Sequence, residues 1–162
     1  MPFKCQKDTH MQWFQTRINN RILGTNVLLN KMKIKNDNLC SLCHKQKRNN
    51  PPLVLWLWVG KKIWNELQTL INTYCPSISL NLVCQDIIFG NRYFANVLNT
   101  IIMLAKYHIF KTKETVKPSI EFFKKQLINQ YRIDQYISRK NLKQDINDKY
   151  WSPLINLITN IN

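Results

Sequence analysis

The stretch NRYFANVLNTIIMLAKYHIFKT, residues 91–112, decides the fold. Apolar side chains occupy most sides of any helix drawn through it, rather than one stripe. A helix of that kind belongs in the middle of a core. The run from Phe94 to Phe110 is too short for a bilayer, and Asn96, Asn99, Thr100, Lys106 and His108 lie inside it. It therefore reads as a buried helix of a water-facing protein, with His108 a core histidine rather than a metal ligand.

Working outward, the same period recurs on both sides. Upstream, Ile63, Trp64, Leu67, Leu70 and Ile71 predict a helix over 59–74 that stops before Pro76, and a short segment from Leu80 to Phe89 ends at Gly90. Nearer the start, 8–22 reads as a helix with Trp13, Phe14, Ile18 and Ile22 apolar. Gly24 stops it, and Thr25 or Asn26 can cap a second helix through about Lys33. Lys31, Lys33 and Lys35 alternate, which places them on a frayed end. Downstream, Lys117-Pro-Ser119 breaks the chain. Ser119 can cap a fifth helix from 120 to about 142, with Ile120, Phe123, Leu127 and Tyr131 facing inward. Glycine is scarce and no alternating β pattern is present. The fold class is all-α: about five helices packed around a central apolar helix, as one domain over 1–146, with a long irregular loop at 36–60 and a C-terminal docking tail at 147–162.

The charge balance bounds the partner. Twenty-four Lys and Arg against nine Asp and Glu give a formal +15 on 162 residues. So large a charge opposes compaction and points to a polyanion, nucleic acid before a membrane surface. On the fifth helix Lys125, Arg132 and Arg139 recur every seven residues, with Asn129, Tyr136, Lys140 and Lys143 alongside. A seven-residue spacing drifts slowly around a helix, so these side chains line one edge, able to follow phosphates while Tyr136 stacks on a base. The plain alternative is a solvated helix face. Arg17 and Arg21, one turn apart, form a second candidate patch. A basic amphipathic helix with a clean apolar face is missing, so no membrane partner is expected. The N-terminal MPFKCQKDTH has no apolar signal core, and five cysteines make an odd number, which predicts an intracellular chain of the nucleus or cytoplasm without a disulfide framework. No Ser-His-Asp order, glycine-rich phosphate loop or cofactor motif is present, so no enzyme and no small-molecule substrate are expected.

Cys40-Ser-Leu-Cys43 has the spacing of half a zinc site. Taken in order, Trp13-Phe-Gln-Thr-Arg17-Ile, Arg21-Ile-Leu-Gly-Thr-Asn26, Lys31-Met-Lys-Ile-Lys35, Cys40-Ser-Leu-Cys43, Lys61-Lys-Ile-Trp64, Asp86-Ile-Ile-Phe-Gly90, Asn99-Thr-Ile-Ile-Met-Leu-Ala-Lys106-Tyr and Lys149-Tyr-Trp-Ser-Pro-Leu154 form a series. It resembles the reverse-transcriptase zinc-binding domain, the C-terminal region of the polyprotein of non-LTR (LINE-type) retrotransposons, over nearly the whole chain. The resemblance implies a helical domain whose parent binds the element's RNA and target DNA, with the Arg17 helix near the nucleic-acid path and the polymerase carboxylates elsewhere.

Family members carry Cys-x2-Cys, about eight residues, His, four residues and Cys. Here Pro52 stands at the His position and Leu57 at the Cys position. A frame slip accounts for this. One permitted set of synonymous codons for Arg48–Gly60, read one base later, spells Glu-Thr-Ile-His-His-Leu-Phe-Phe-Gly-Cys-Gly-Leu, with His over Pro52 and Cys over Leu57. Two thiolates hold zinc weakly, so Cys40 and Cys43 are expected to be an empty remnant, with residual zinc through His44, Cys5, His10, Cys75 or Cys84 the alternative. Without the metal, 36–60 is expected to be poorly ordered or held only by apolar cover over Trp56 and Trp58. The expected function is a non-catalytic accessory domain that binds RNA or single-stranded DNA. The alternative is a non-functional relic or a helical protein-interaction domain, in which helix 91–112 seeks a partner.

Overall fold

A computed structural model describes residues 8–20, 22, 26–36, 60–78, 80–91, 96–112 and 119–160. Among these every regular element is a helix, with no strand. The elements are α1 (Thr9–Asn19), α2 (Asn26–Lys31), α3 (Lys61–Tyr74), α4 (Cys84–Phe89), α5 (Asn96–Thr112), α6 (Ile120–Lys140), α7 (Gln144–Trp151), a 3₁₀ turn (Ser152–Leu154) and α8 (Ile155–Asn160).

The apolar helix behaves as its composition requires. From Val97 to Lys106 every residue of α5 is buried, and α1, α4, α6 and α7 all pack on it. On α1, Phe14 wedges between Tyr107 and Phe110, each ring centroid 5.2 Å away. From α6, Phe123 and Leu127 enter the core fully, and Ile120 and Tyr131 pack partly buried beside them. Burying each of the first two contributes roughly 1.5–3 kcal/mol. The inward stripe expected on this helix is therefore in place.

Most polar groups inside the fold have partners, whereas His108 Nε2 and Asn147 Nδ2 have none among the described residues. Lys106, 3% exposed, donates from Nζ to Gln15 Oε1 at 2.5 Å and to the Ile88 carbonyl at 3.2 Å. Gln15 is itself fully buried and donates from Nε2 to that same carbonyl. One amide and one ammonium thus tie α1, α4 and α5 together. Asn99 and Asn91 exchange hydrogen bonds, and Asn72 brackets Leu80 by bonding both its N–H and its carbonyl. These amides do for loop backbone what a ladder would otherwise do.

Several boundaries and one segment depart from expectation. The first helix ends at Asn19 rather than 22, and Trp13 faces outward, as does Ile22 beyond the helix end. The second helix ends at Lys31. Lys33 takes a left-handed φ of 58°, and the Lys33 and Ile34 N–H groups turn back to the Asn30 and Leu29 carbonyls, which closes the helix. Lys31 and Lys33 are exposed, but Lys35 is half-buried. At the C-terminus, in the segment expected as a docking tail, residues 147–160 are helical and bury Trp151, Leu154, Leu157 and Ile158 in the core, with α8 against α3. Trp151 meets Tyr131 and Tyr150 edge-on. Within the stretch 91–112, the helix Asn96–Thr112 is largely buried against the chain's own elements.

Candidate nucleic-acid interface

Helix α6 is 21 residues long, starts after extended Ser119 and ends in a tight turn through Asn141 and Leu142. Its core side is fixed by Phe123, Leu127 and the inward-turned Ser138. At 3.6 residues per turn this orientation puts Lys125, Asn129, Arg132, Tyr136, Arg139 and Lys140 within roughly 100° of arc on the far side. All six are exposed, as is Lys143 just past the helix end, and Tyr136 is 68% exposed. The edge from Lys125 to Lys140 runs about 22 Å.

The electrostatics of this edge follow from where the acids are. The helix carries only Glu121 and Asp134. Glu121 sits in the first turn and is engaged by Lys124 at 2.9 Å. Asp134 turns inward and accepts from Gln130 and from the Trp151 indole. Among the described residues Lys125, Arg139, Lys140 and Lys143 take part in no ion pair. Arg139 and Lys140 also lie in the last turn, where the helix dipole is negative and favours cations, so part of their role is to the helix itself. An anion at this end is attracted by the side chains alone. Beyond Lys143 the exposed Asp145 and Asp148 of α7 return the surface to mixed charge.

Arg17 is exposed on α1, a separate helix, so it does not extend the α6 edge; both helices pack on α5. Arg21, Cys40, Cys43, Trp56 and Trp58 lie outside the described residues, as do Cys5 and His44. Among the described residues no group of three or more His, Cys, Asp or Glu could hold a metal ion, and no helix is long and apolar enough to cross a membrane.

His108 is fully buried. Its Nδ1 lies 3.1 Å from Gln126 Oε1, its ring stacks on Phe122 and tilts against Phe123, and its Nε2 has no hydrogen-bond partner among the described residues. The histidine is thus half satisfied rather than fully so. Burial pushes it below the usual imidazole range, against the opposing effects of Gln126 and the Ser119 backbone. Burial also raises the Cys75 thiol, opposed by the Leu157 backbone, making it an inert core side chain.

Sequence reasoning passed over two features of this surface. Trp13 falls in the apolar set expected on the first helix, yet it is 67% exposed. Ile133, Ile137, Leu142 and Ile146 are also exposed around the α6–α7 turn, beside the cations. The available signal was angular: with Met11, Phe14, Gln15 and Ile18 facing the core, Trp13 lies roughly 150° from the middle of that set.

The arrangement defines an all-α protein with a cationic, aromatic-bearing helix edge. No protein-family model matches the chain, and no curated protein or solved structure is similar to it.

Proposed function

We propose that this protein is a non-catalytic nucleic-acid-binding domain that takes RNA or single-stranded DNA, descended from the C-terminal region of a LINE-type reverse-transcriptase polyprotein. One observation carries the reading: four cations and Tyr136 share the outward edge of α6 while that helix's own Asp134 is turned into the fold. Phosphates meet the cations, and the phenol offers a face to a base. The ordered motif series of the sequence supports the descent, with Cys40 and Cys43 as the remnant of its zinc knuckle.

The test is fluorescence anisotropy of the full chain with a labelled oligonucleotide over a range of salt. Binding that weakens linearly in log–log form as salt rises supports the reading. Indifference to polyanions at low salt removes it. Zinc content of the purified chain, compared with a version carrying the shifted 48–60 segment back in frame, tests the lost knuckle. Zinc held at one equivalent by the present chain rejects that part.

A second reading rests on the exposed Ile133, Ile137, Leu142 and Ile146. Such a cluster also suits a protein partner. A chain that ignores polyanions but self-associates or captures a protein through this corner would favour it.

A further inference from the structure

Trp13 and Arg17 stand one turn apart on the outward face of α1, both exposed, with exposed His10 and Asn20 on the same side. We infer that this face is a stacking site for an unpaired nucleotide, the indole taking the base and the guanidinium the neighbouring phosphate; the inference rests on the nucleic-acid reading above.

Three observations lead there. First, Trp13 is not a core residue displaced by chance. The buried face of α1 is complete without it, made by Met11, Phe14, Gln15 and Ile18, and Trp13 points roughly 150° away from the middle of that set. Second, the platform is rigid. Phe14 is wedged between two rings, and Gln15 is held by Lys106 and the Ile88 carbonyl, so the face is presented in fixed register and little ordering is required on binding. Third, the charge is complementary. Residues 9–19 contain no acid, and among the described residues neither Trp13 nor Arg17 has a ring or ion-pair partner.

The chemistry selects the occupant. Side chains four apart on a helix have Cβ atoms roughly 5–6 Å apart, within reach of one nucleotide. A guanidinium meets a phosphate through two parallel hydrogen bonds, and an indole face accepts any base. A duplex keeps its bases stacked inside and offers Trp13 nothing that Arg17 does not already use. A lipid surface would want apolar neighbours, whereas His10, Arg17 and Asn20 surround the indole. Uniform stacking also explains why no base-specific hydrogen-bonding set is needed here. Unpaired RNA and single-stranded DNA share this chemistry.

The experiment compares the full chain with its Trp13→Ala, Trp13→Phe and Arg17→Ala variants. The probes are labelled oligo-dT and oligo-rU of about twelve nucleotides, a duplex of the same length, and vesicles containing anionic lipid. Trp13→Ala is expected to weaken single-strand binding about 5- to 150-fold, to leave duplex binding and the salt slope unchanged, and to be largely rescued by Trp13→Phe. Arg17→Ala is expected to lower the salt slope by roughly 0.7 on single strands. The ratio of dT to rU losses tells which strand the site prefers. Unchanged single-strand affinity in Trp13→Ala, while changing Lys125, Arg132 and Arg139 together to Ala still weakens it, overturns the α1 site and leaves the broader reading standing. An equal loss on duplex or vesicles overturns it too, in favour of a general sticky surface. Failure of the parent chain to bind any nucleic acid ends both.

Discussion

Trp151 Nε1 donates a hydrogen bond to Oδ2 of Asp134 at 3.2 Å, joining the fully buried indole near the C-terminus to the middle of α6. The other carboxylate oxygen accepts from Gln130 Nε2 at 3.1 Å. The bond links the last helices to α6, and the acid itself lies on the Leu127–Tyr131–Ser138 side of that helix, off the cationic edge.

Removing that acceptor leaves a buried indole N–H unsatisfied. Asp134→Ala is expected to lower stability by about 1–3 kcal/mol, with Asp134→Asn milder because its amide oxygen can still accept from Trp151. Urea unfolding midpoints measure this. Equal midpoints for the parent chain and the alanine variant would show that the bond does not hold the C-terminal helices.

The α6 edge makes a prediction about slope rather than affinity alone. Changing Lys125, Arg132 and Arg139 together to Ala is expected to reduce the slope of log K against log salt by roughly 2 to 3. Tyr136→Ala, which removes no charge, should weaken binding and leave the slope as it was. A triple variant with the parent slope would exclude the edge as a phosphate contact.

His108 gives a pH dependence whose sign is fixed by its environment. Its folded value is lowered from about 6.5, so the unfolded chain binds the proton more readily. The contribution to stability is whole above about pH 6.5 and declines as the pH falls below it. Thermal melts between pH 7.5 and about 5 should show a fall that His108→Leu reduces. A leucine variant with the same pH profile would assign the fall to other groups.

Leu142 occupies a left-handed conformation, φ 54°, at the turn after α6, with its side chain 94% exposed. The N–H groups of Leu142 and Lys143 bond the Arg139 and Ser138 carbonyls, a closing arrangement that normally recruits glycine. Leu142→Gly should therefore raise stability by about 1 kcal/mol, since little packing is lost. A destabilised glycine variant would reveal an apolar contact for Leu142.

Much of this fold was legible from apolar spacing. The α5 run, the inward set on α6 and the stop before Pro76 all follow from period and punctuation, and the structure has them. Helix α1 was harder. Its buried face includes Gln15, which serves the buried Lys106, so a polar residue occupies a core position and a tryptophan occupies an outer one. Hydrophobic periodicity has no means of seeing a long-range bond across 91 positions of sequence. The C-terminal helices read as a tail for a similar reason: Asn147 is buried among their apolar residues, and the Trp151 anchor depends on an acid seventeen residues upstream. The α6 edge was legible as a pattern of residue types, as was the inward side for Asp134, three residues after Tyr131; its bond to Trp151 was not.

The enclosure of Lys106 has a further consequence for how the molecule greets a polyanion. A tally of its lysines and arginines overstates its attraction, because one of them serves as an internal strut between three helices and another, Lys124, leans on Glu121. Ion-exchange behaviour should accordingly fall short of what composition suggests, and chemical acetylation should spare Lys106 for as long as the strut holds.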